Sequence, residues 1–269
     1  MKSSRRSTNR RTTAAVLASS AVALSFAFAP VVISSTPASA AKLSGSITVS
    51  AASSLSGVFA QLGQRFKSLH PSTFVAFNFD SSGTLANQIQ QGAPADVFAS
   101  ASIKDMGIVM KAGDVAGPTS IFTRNTLAIV VKPGNPLRIH SPVDLLRAKV
   151  VALCATSAPC GQAAREVLAK SKVVIPTSKV SLGQDVKSTL AQVTSGDADA
   201  AIVYVTDART VKSQGATVTI PAGENVITSY PIGLLEASTH RTLAKAWIAF
   251  VLGPIGQRAL HNAGFLAAR

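Results

Sequence analysis

Residues 46–69 read SITVSAASSLSGVFAQLGQRFKSL, and this stretch shows the pattern that the rest of the chain repeats. The apolar run Ile47-Thr48-Val49 predicts a strand, and the spacing of apolar residues from Leu55 onward predicts an amphipathic helix. A turn of small and hydroxyl-bearing residues separates the two. The same alternation recurs along the chain, with near-continuous apolar strands typical of sheets buried on both faces. The sequence therefore predicts an α/β fold with mostly parallel sheets.

Polar turns follow several of the predicted strands. Residues 50–54 (SAASS), 80–84 (DSSGT), 158–161 (APCG) and 183–185 (GQD) each precede a predicted helix. A helix N-terminus offers unpaired backbone N–H groups and a positive dipole end, and small residues let an oxyanion approach them. Each turn alone is equally explained as a helix cap, but their recurrence at the carboxyl edge of the sheet favours an anion site. Because no G-x-x-x-x-G-K-[ST] motif occurs, we do not predict nucleotide binding.

Length and charge limit the classes of function. The chain has 269 residues, of which 47% are hydrophobic and only 14% charged, and this composition excludes a disordered protein. The formal net charge is +14, but residues 1–40 hold five bases and no acid, which leaves 21 bases against 12 acids, or +9, in the remainder. Those bases are scattered, and aromatic residues make up only 5%. A nucleic-acid partner is therefore not expected.

The N-terminus is typical of an export signal. A basic segment ending at Arg11 precedes an apolar stretch over residues 14–33, and Ala38-Ser39-Ala40 fits a small-x-small cleavage site. We predict a signal peptide over residues 1–40 and an exported protein, periplasmic or extracellular and associated with the cell surface. The pairs Arg5-Arg6 and Arg10-Arg11 leave the Sec and twin-arginine routes both open.

The two cysteines, Cys154 and Cys160, are separated by five residues. An exported protein meets an oxidising compartment, so we expect a disulfide that closes this short loop. The spacing differs from a C-x-x-C redox motif, and no histidine nearby completes a zinc site, so no direct protein–metal bond is predicted.

Several segments, in order and spacing, resemble the molybdate-binding proteins of ABC importers. They are ITVSAASSL (47–55), SSGTLANQI (81–89), GAPADVFASA (92–101), DVKSTL (185–190) and ADAAIVYVTDA (198–208). The resemblance covers residues 45–266. It implies a two-lobed type II periplasmic-binding-protein fold, with one lobe formed by residues 42–124 plus 226–269 and the other by residues 125–225.

The resemblance also implies a ligand set for a tetrahedral dianion. The hydroxyl groups of two serines, the backbone N–H groups of two residues that begin helices, and one tyrosine hydroxyl would bind it. These residues are Ser54, Ser82, Cys160, Val186 and Tyr204. Ser53 and Ser81 are neighbouring hydroxyls that could replace Ser54 and Ser82 if the register shifts by one. A pocket of this kind supplies donors only, so it should disfavour hydrogen phosphate, whose O–H would find no acceptor.

By this resemblance the protein captures molybdate, and also tungstate, and delivers it to the membrane permease of an ABC importer. It would act as a monomer without a cofactor. The alternative in the same class is a carrier of sulfate or another tetrahedral oxyanion. An exported serine enzyme is a third hypothesis, although no G-x-S-x-G motif occurs and no histidine is placed beside the serines by motif. A sensor or adhesin that reuses the fold is a fourth.

Overall fold

Two five-stranded sheets form the framework of the protein. The computed structural model describes residues 42–211 and 213–269. The predicted signal peptide, residues 1–40, lies outside the described residues. Helices flank both sheets, and each sheet with its helices makes one lobe. We call the lobe that contains the N-terminal strand the first lobe and the other the second lobe.

The described residues form ten strands and eight α-helices. The strands are β1 (Gly45–Ala52), β2 (Thr73–Asp80), β3 (Val97–Ala99), β4 (Ser120–Asn125), β5 (Leu127–Val131), β6 (Val151–Cys154), β7 (Val180–Gly183), β8 (Ala200–Tyr204), β9 (Ala216–Thr219) and β10 (Thr228–Leu234). The helices are α1 (Ser56–Leu69), α2 (Ser82–Gln90), α3 (Ile103–Lys111), α4 (Pro159–Lys170), α5 (Val186–Thr194), α6 (Val205–Ala208), α7 (Arg241–Leu252) and α8 (Pro254–Ala263). Short 3-10 helices include Ser53–Leu55, directly before α1, and Pro142–Arg147.

Each sheet is mixed, with one strand opposed to the other four. The first has the order β2-β1-β3-β10-β4, in which β10 runs antiparallel to both of its neighbours. The second has the order β7-β6-β8-β5-β9, in which β5 is the antiparallel strand. The remaining pairs, β1 with β2 and β3 and β6 with β7 and β8, are parallel. The predicted α/β fold with mostly parallel sheets is confirmed.

The lobes have separate hydrophobic cores. One apolar cluster is built from residues between Leu127 and Val226 and fills the second lobe. The first lobe holds two clusters, and its larger one packs an aromatic group around Trp247, with the Phe59 and Phe66 rings edge-on to the indole at 5.7 and 5.5 Å. Each lobe therefore buries its own set of apolar residues.

The chain passes between the lobes twice, after β4 and before β10. The two crossings are tied together by Asn225, whose Oδ1 accepts from the Leu127 N–H at 3.1 Å and whose Nδ2 donates to the Leu127 carbonyl at 2.8 Å. Such a pair of short connections is suited to a hinge. Among the described residues, no helix has the length and apolarity that crossing a membrane requires.

Candidate functional site

One pocket lies between the two lobes, at the carboxyl ends of strands from both sheets. The five residues predicted as ligands all line it: Ser54, Ser82, Cys160, Val186 and Tyr204. All five are at most 7% exposed. The structure thus brings together residues that are up to 150 positions apart in the chain. Their role as ligands remains a prediction.

The start of α2 presents the Ser82 hydroxyl to this pocket. Ser81 is the N-cap of the helix, and its Oγ accepts from the Thr84 N–H at 3.2 Å and lies 2.9 Å from Thr84 Oγ1. The Ser81 hydroxyl is therefore engaged in capping. Ser82 Oγ accepts from the Ala101 N–H at 2.8 Å, which holds the side chain while leaving its own hydrogen free to donate. This geometry favours Ser82 over Ser81 as the donor.

Ser54 belongs to a chain of hydroxyl and amide groups that extends to Asn125 at the end of β4. Asn125 Nδ2 lies 3.4 Å from the Tyr230 hydroxyl, and that hydroxyl lies 3.0 Å from Ser54 Oγ. If Asn125 donates to Tyr230 and Tyr230 donates to Ser54, the Ser54 hydrogen points onward to the pocket. Chains of this kind polarise each donor in turn, which strengthens the last hydrogen bond to an anion.

In the second lobe, two helix N-termini meet at the pocket. Pro159 is the first residue of α4 and has no N–H, so Cys160 supplies the first amide of that helix. Val186 is the first residue of α5 and supplies the corresponding amide there. The first N–H groups of a helix have no acceptor within the helix and lie at its positive end. Both amides are thus suited to an oxyanion.

A disulfide closes the loop that leads into α4, and this loop contacts the start of α5. Cys154, at the end of β6, is bonded to Cys160, as predicted. Thr189 Oγ1, in α5, lies 3.3 Å from Cys154 Sγ, and the Ala155 N–H donates to the Gly183 carbonyl at 2.7 Å. The disulfide-closed loop therefore packs directly against the turn that leads into α5.

Tyr204 ends β8 and brings a hydroxyl to the pocket. The residue is 1% exposed, and among the described residues no group meets the geometry of a hydrogen bond to its hydroxyl, although the side chains of Thr228 and Tyr230 lie close enough to affect its pKa. Burial raises the pKa of the Tyr204 phenol well above its ordinary value, so the group stays protonated and acts as a donor. A buried hydroxyl without a partner is costly, by roughly 1 to 3 kcal/mol. A ligand acceptor in the pocket would satisfy it.

Two features of the pocket were missed by sequence reasoning. The first is Tyr230, whose position on a buried strand gives no sign that it supports Ser54. The second is Asp80, which also lines the pocket. Asp80 directly precedes Ser81-Ser82 in the sequence, and this adjacency could have revealed it. Asp80 thus adds an acidic residue to the lining of a pocket that was expected to supply donors only.

Close in sequence to the pocket residues Val186 and Tyr204, the buried carboxylate of Asp207 forms an ion pair with the partly exposed Lys187. Lys187 Nζ lies 2.7 Å from Asp207 Oδ1, and the carboxylate is 1% exposed. Burial raises the pKa of Asp207 from 3.8 to about 6, although the ammonium of Lys187 opposes this rise. Lys187 follows Val186, so the pair also joins the start of α5 to α6.

We expect this carboxyl group to make the stability depend on pH. Its pKa is higher in the folded than in the unfolded protein, so between pH 4 and 6 the folded state binds the proton more tightly. The free energy of unfolding should therefore fall by about 1 to 3 kcal/mol from this group as pH rises through that range. Urea unfolding of wild-type and Asp207→Asn protein at pH 4.5 and 6.5 measures the difference. Asp197→Asn removes the same charge from an exposed site and should keep the wild-type slope.

Comparison with known proteins identifies the family. The family described as bacterial extracellular solute-binding proteins matches residues 47–266. A molybdate-binding protein ModA of Mycobacterium tuberculosis is 40% identical over 232 residues, which are 86% of this chain and 88% of that protein. The chain belongs to the bacterial extracellular solute-binding proteins. Members of this family bind solutes for transport and are not enzymes, so the hypothesis of a serine enzyme is set aside.

Solved structures of solute-binding proteins share the two-lobed fold. The periplasmic molybdate-binding protein of Azotobacter vinelandii has a TM-score of 0.74 and 22% identity, over 82% of this chain and 98% of that one. The sulfate-binding protein SubI of Mycobacterium tuberculosis also has a TM-score of 0.74, with 21% identity over 82% of this chain and 86% of that one. At these identities the solute-binding fold is shared, whereas the choice of solute must be argued from the pocket.

Proposed function

We propose that this solute-binding protein captures molybdate, and also tungstate, between its lobes and delivers it to the permease of an ABC importer. The observation that carries the proposal is the Tyr204 hydroxyl, which is buried at the pocket with no hydrogen-bond partner among the described residues. The relative that is 40% identical bears the name of a molybdate-binding protein. Molybdate is the cargo here, and the proposal needs no cofactor.

The proposed ligand atoms are neutral donors from both lobes. Ser54 and Ser82 contribute hydroxyls from the first lobe, and the second lobe contributes the N–H groups of Cys160 and Val186 with the Tyr204 hydroxyl. Hydrogen bonds to an ionised acceptor are roughly twice as strong as neutral ones, so such donors can hold a dianion without a cation. A ligand that contacts both lobes favours the closed state.

We propose the lobe boundaries given by the resemblance, residues 42–124 plus 226–269 and residues 125–225. They fall at the two crossings, beside Asn125 and Asn225. The protein would act as a monomer, without nucleic acid, at the cell surface, in the periplasm or outside the cell. The donor set suits any tetrahedral dianion, and a sulfate carrier is therefore the second candidate.

Thermal unfolding of the purified protein with molybdate, tungstate, sulfate or phosphate tests the proposal. A ligand at about 100 times its Kd should stabilise the protein by roughly 2.7 kcal/mol. For a chain of this size the melting temperature should rise by about 5 to 10 °C. A rise with molybdate and tungstate alone supports the proposal, and a rise with sulfate alone supports the second candidate. No rise with any of the anions contradicts both.

Removing the Tyr204 hydroxyl should weaken molybdate binding without destabilising the ligand-free protein. In Tyr204→Phe we expect molybdate affinity to fall by about 10- to 100-fold, because a hydrogen bond to a charged acceptor is lost. The ligand-free protein should be as stable as wild type or slightly more so, because the hydroxyl has no partner to lose among the described residues. Calorimetric titration and urea unfolding measure the two effects.

Tyr230→Phe provides the matched comparison, since the chain has only two tyrosines. That change removes the 3.0 Å hydrogen bond between Tyr230 and Ser54, while Asn125 keeps its 2.9 Å hydrogen bond to Thr206 Oγ1. It should therefore destabilise the ligand-free protein through Ser54. If Tyr204→Phe behaved in the same way and retained wild-type affinity, Tyr204 would be a core residue and not a ligand.

A further inference from the structure

Asp80 is an acidic residue in a pocket that we propose to bind anions. Asp80 is the last residue of β2 and lines the pocket beside Ser82. Its Oδ1 accepts from the Ser81 N–H at 2.6 Å, so the carboxylate is folded over the turn that leads into α2. Among the described residues that line the pocket, Asp80 alone carries a side-chain charge.

The charge of Asp80 is not neutralised by a nearby cation. The described residues form six ion pairs, and none of them includes Asp80. Lys187, the cation that follows Val186, has its ammonium 2.7 Å from Asp207. A fully ionised oxyanion in the pocket therefore meets a second negative charge, and this repulsion opposes its binding.

The fold does not require that charge. A carboxylate near a helix N-terminus stabilises the helix by only about 0.3 to 1 kcal/mol at an exposed position. The hydrogen bond from the Ser81 N–H needs only an oxygen acceptor, which an asparagine side chain supplies equally well. Asp80→Asn thus removes the charge and keeps the turn.

The carboxylate also changes which protonation state of a ligand the pocket accepts. The serine and tyrosine hydroxyls and the two amides can donate to every oxygen of a bare dianion. An oxyanion that keeps a proton, such as hydrogen phosphate, has one O–H that needs an acceptor, and an ionised carboxylate is a strong one. A site that can satisfy that O–H loses its discrimination against such a ligand.

We propose that Asp80 is a specificity-determining residue of this pocket. Its carboxylate weakens the binding of fully ionised oxyanions, such as molybdate and sulfate, and accepts a hydrogen bond from an oxyanion that retains a proton. This inference rests on the proposed function, because it assumes that the pocket binds oxyanions. The wild-type protein should therefore distinguish molybdate from phosphate less sharply than a pocket without the acid.

Calorimetric titrations with sodium molybdate, sodium sulfate and sodium phosphate at pH 7.5 test this inference. In Asp80→Asn we expect about tenfold tighter binding of molybdate and sulfate, because a like charge is removed. We expect about tenfold weaker binding of hydrogen phosphate, because its O–H loses the ionised acceptor. Asp197→Asn, which neutralises an exposed acid near the end of α5, should leave all three affinities unchanged.

The outcomes separate this inference from the proposed function. If wild-type and Asp80→Asn proteins bind the three anions with the same ratio of affinities, the inference is wrong while the proposed function stands. A lower melting temperature of ligand-free Asp80→Asn with an unchanged ratio would show that Asp80 only stabilises the turn before α2. If the wild-type protein binds none of the three anions, the proposed function fails and the inference fails with it.

Discussion

Gly83→Ala should abolish most of the stabilisation by molybdate while leaving the ligand-free protein intact. Gly83 lies in the first turn of α2, and its Cα faces the Ser157 carbonyl of the disulfide-closed loop across the pocket. A Cβ at this position would lie 2.5 Å from that oxygen, well inside van der Waals contact. The two atoms belong to different lobes, so the clash arises only when the lobes are together.

Within α2 itself, alanine is the better residue. It is favoured over glycine by up to about 1 kcal/mol inside a helix, so the ligand-free protein should unfold at the same temperature or slightly higher. Lobes held apart lose hydrogen bonds from one lobe to the dianion, and the loss of one or two bonds to a charged acceptor should weaken molybdate binding roughly 100-fold. At a molybdate concentration of 100 times the wild-type Kd, stabilisation should then drop from about 2.7 to about 0.4 kcal/mol.

Thermal unfolding with and without molybdate measures both effects in one experiment. Gly107→Ala is the matched control, because Gly107 is also a helical glycine of the first lobe and a Cβ there meets nothing within 4 Å. Gly107→Ala should be slightly more stable than wild type, because alanine is favoured over glycine in a helix, and molybdate should stabilise it as much as it stabilises wild type. Wild-type affinity in Gly83→Ala would contradict closure at this contact.

Gly161→Ala, in contrast, should destabilise the ligand-free protein. Gly161 follows Cys160 in the first turn of α4, and a Cβ there would lie 2.5 Å from the Cys154 carbonyl and closer still to the Ala155 carbonyl. These atoms belong to the same loop and lobe, so no opening of the lobes can relieve the overlap. We expect a loss of about 3 kcal/mol or more in the free energy of unfolding.

For a protein of this length, that loss corresponds to a fall of roughly 6 to 12 °C in melting temperature without ligand. Molybdate binding should weaken as well, because the Cys160 amide moves with its neighbour. Calorimetric melting of Gly161→Ala beside Gly107→Ala checks the expectation. A melting temperature close to that of wild type would show that the loop has more freedom than the contacts of Gly161 indicate.

The strands that the sequence revealed are those whose apolar runs are continuous. The run LAIVV is an example: β5 spans Leu127–Val131, with every residue buried. Strands β4 and β7, which have no such run, are both at sheet edges. In β4 only Phe122, Thr123 and Asn125 are buried, and in β7 only Gly183 is. An edge strand needs no continuous apolar run, so its pattern resembles that of a loop.

Local sequence alone predicts only part of the pocket. Ser82, Cys160 and Val186 stand at helix starts, and small or capping residues beside them mark those positions. Tyr204 is predicted by the family resemblance alone and Tyr230 is not predicted, since each lies within a buried strand and resembles an ordinary core residue. Their hydroxyls acquire a role from long-range packing, such as the 3.0 Å contact between Tyr230 and Ser54 across 176 positions.

The burial of the Cys154–Cys160 bond has a consequence for its chemistry. Both cysteines are nearly inaccessible, at 0% and 3% exposure, so a thiol reductant can attack either sulfur only after the surrounding loop opens. The rate of reduction then measures how often that loop opens, in the way that amide hydrogen exchange measures local unfolding. Because Cys160 also lines the pocket, a bound ligand should keep the loop closed. The rate of disulfide reduction should therefore fall when the pocket is occupied, and it reports how often the site opens.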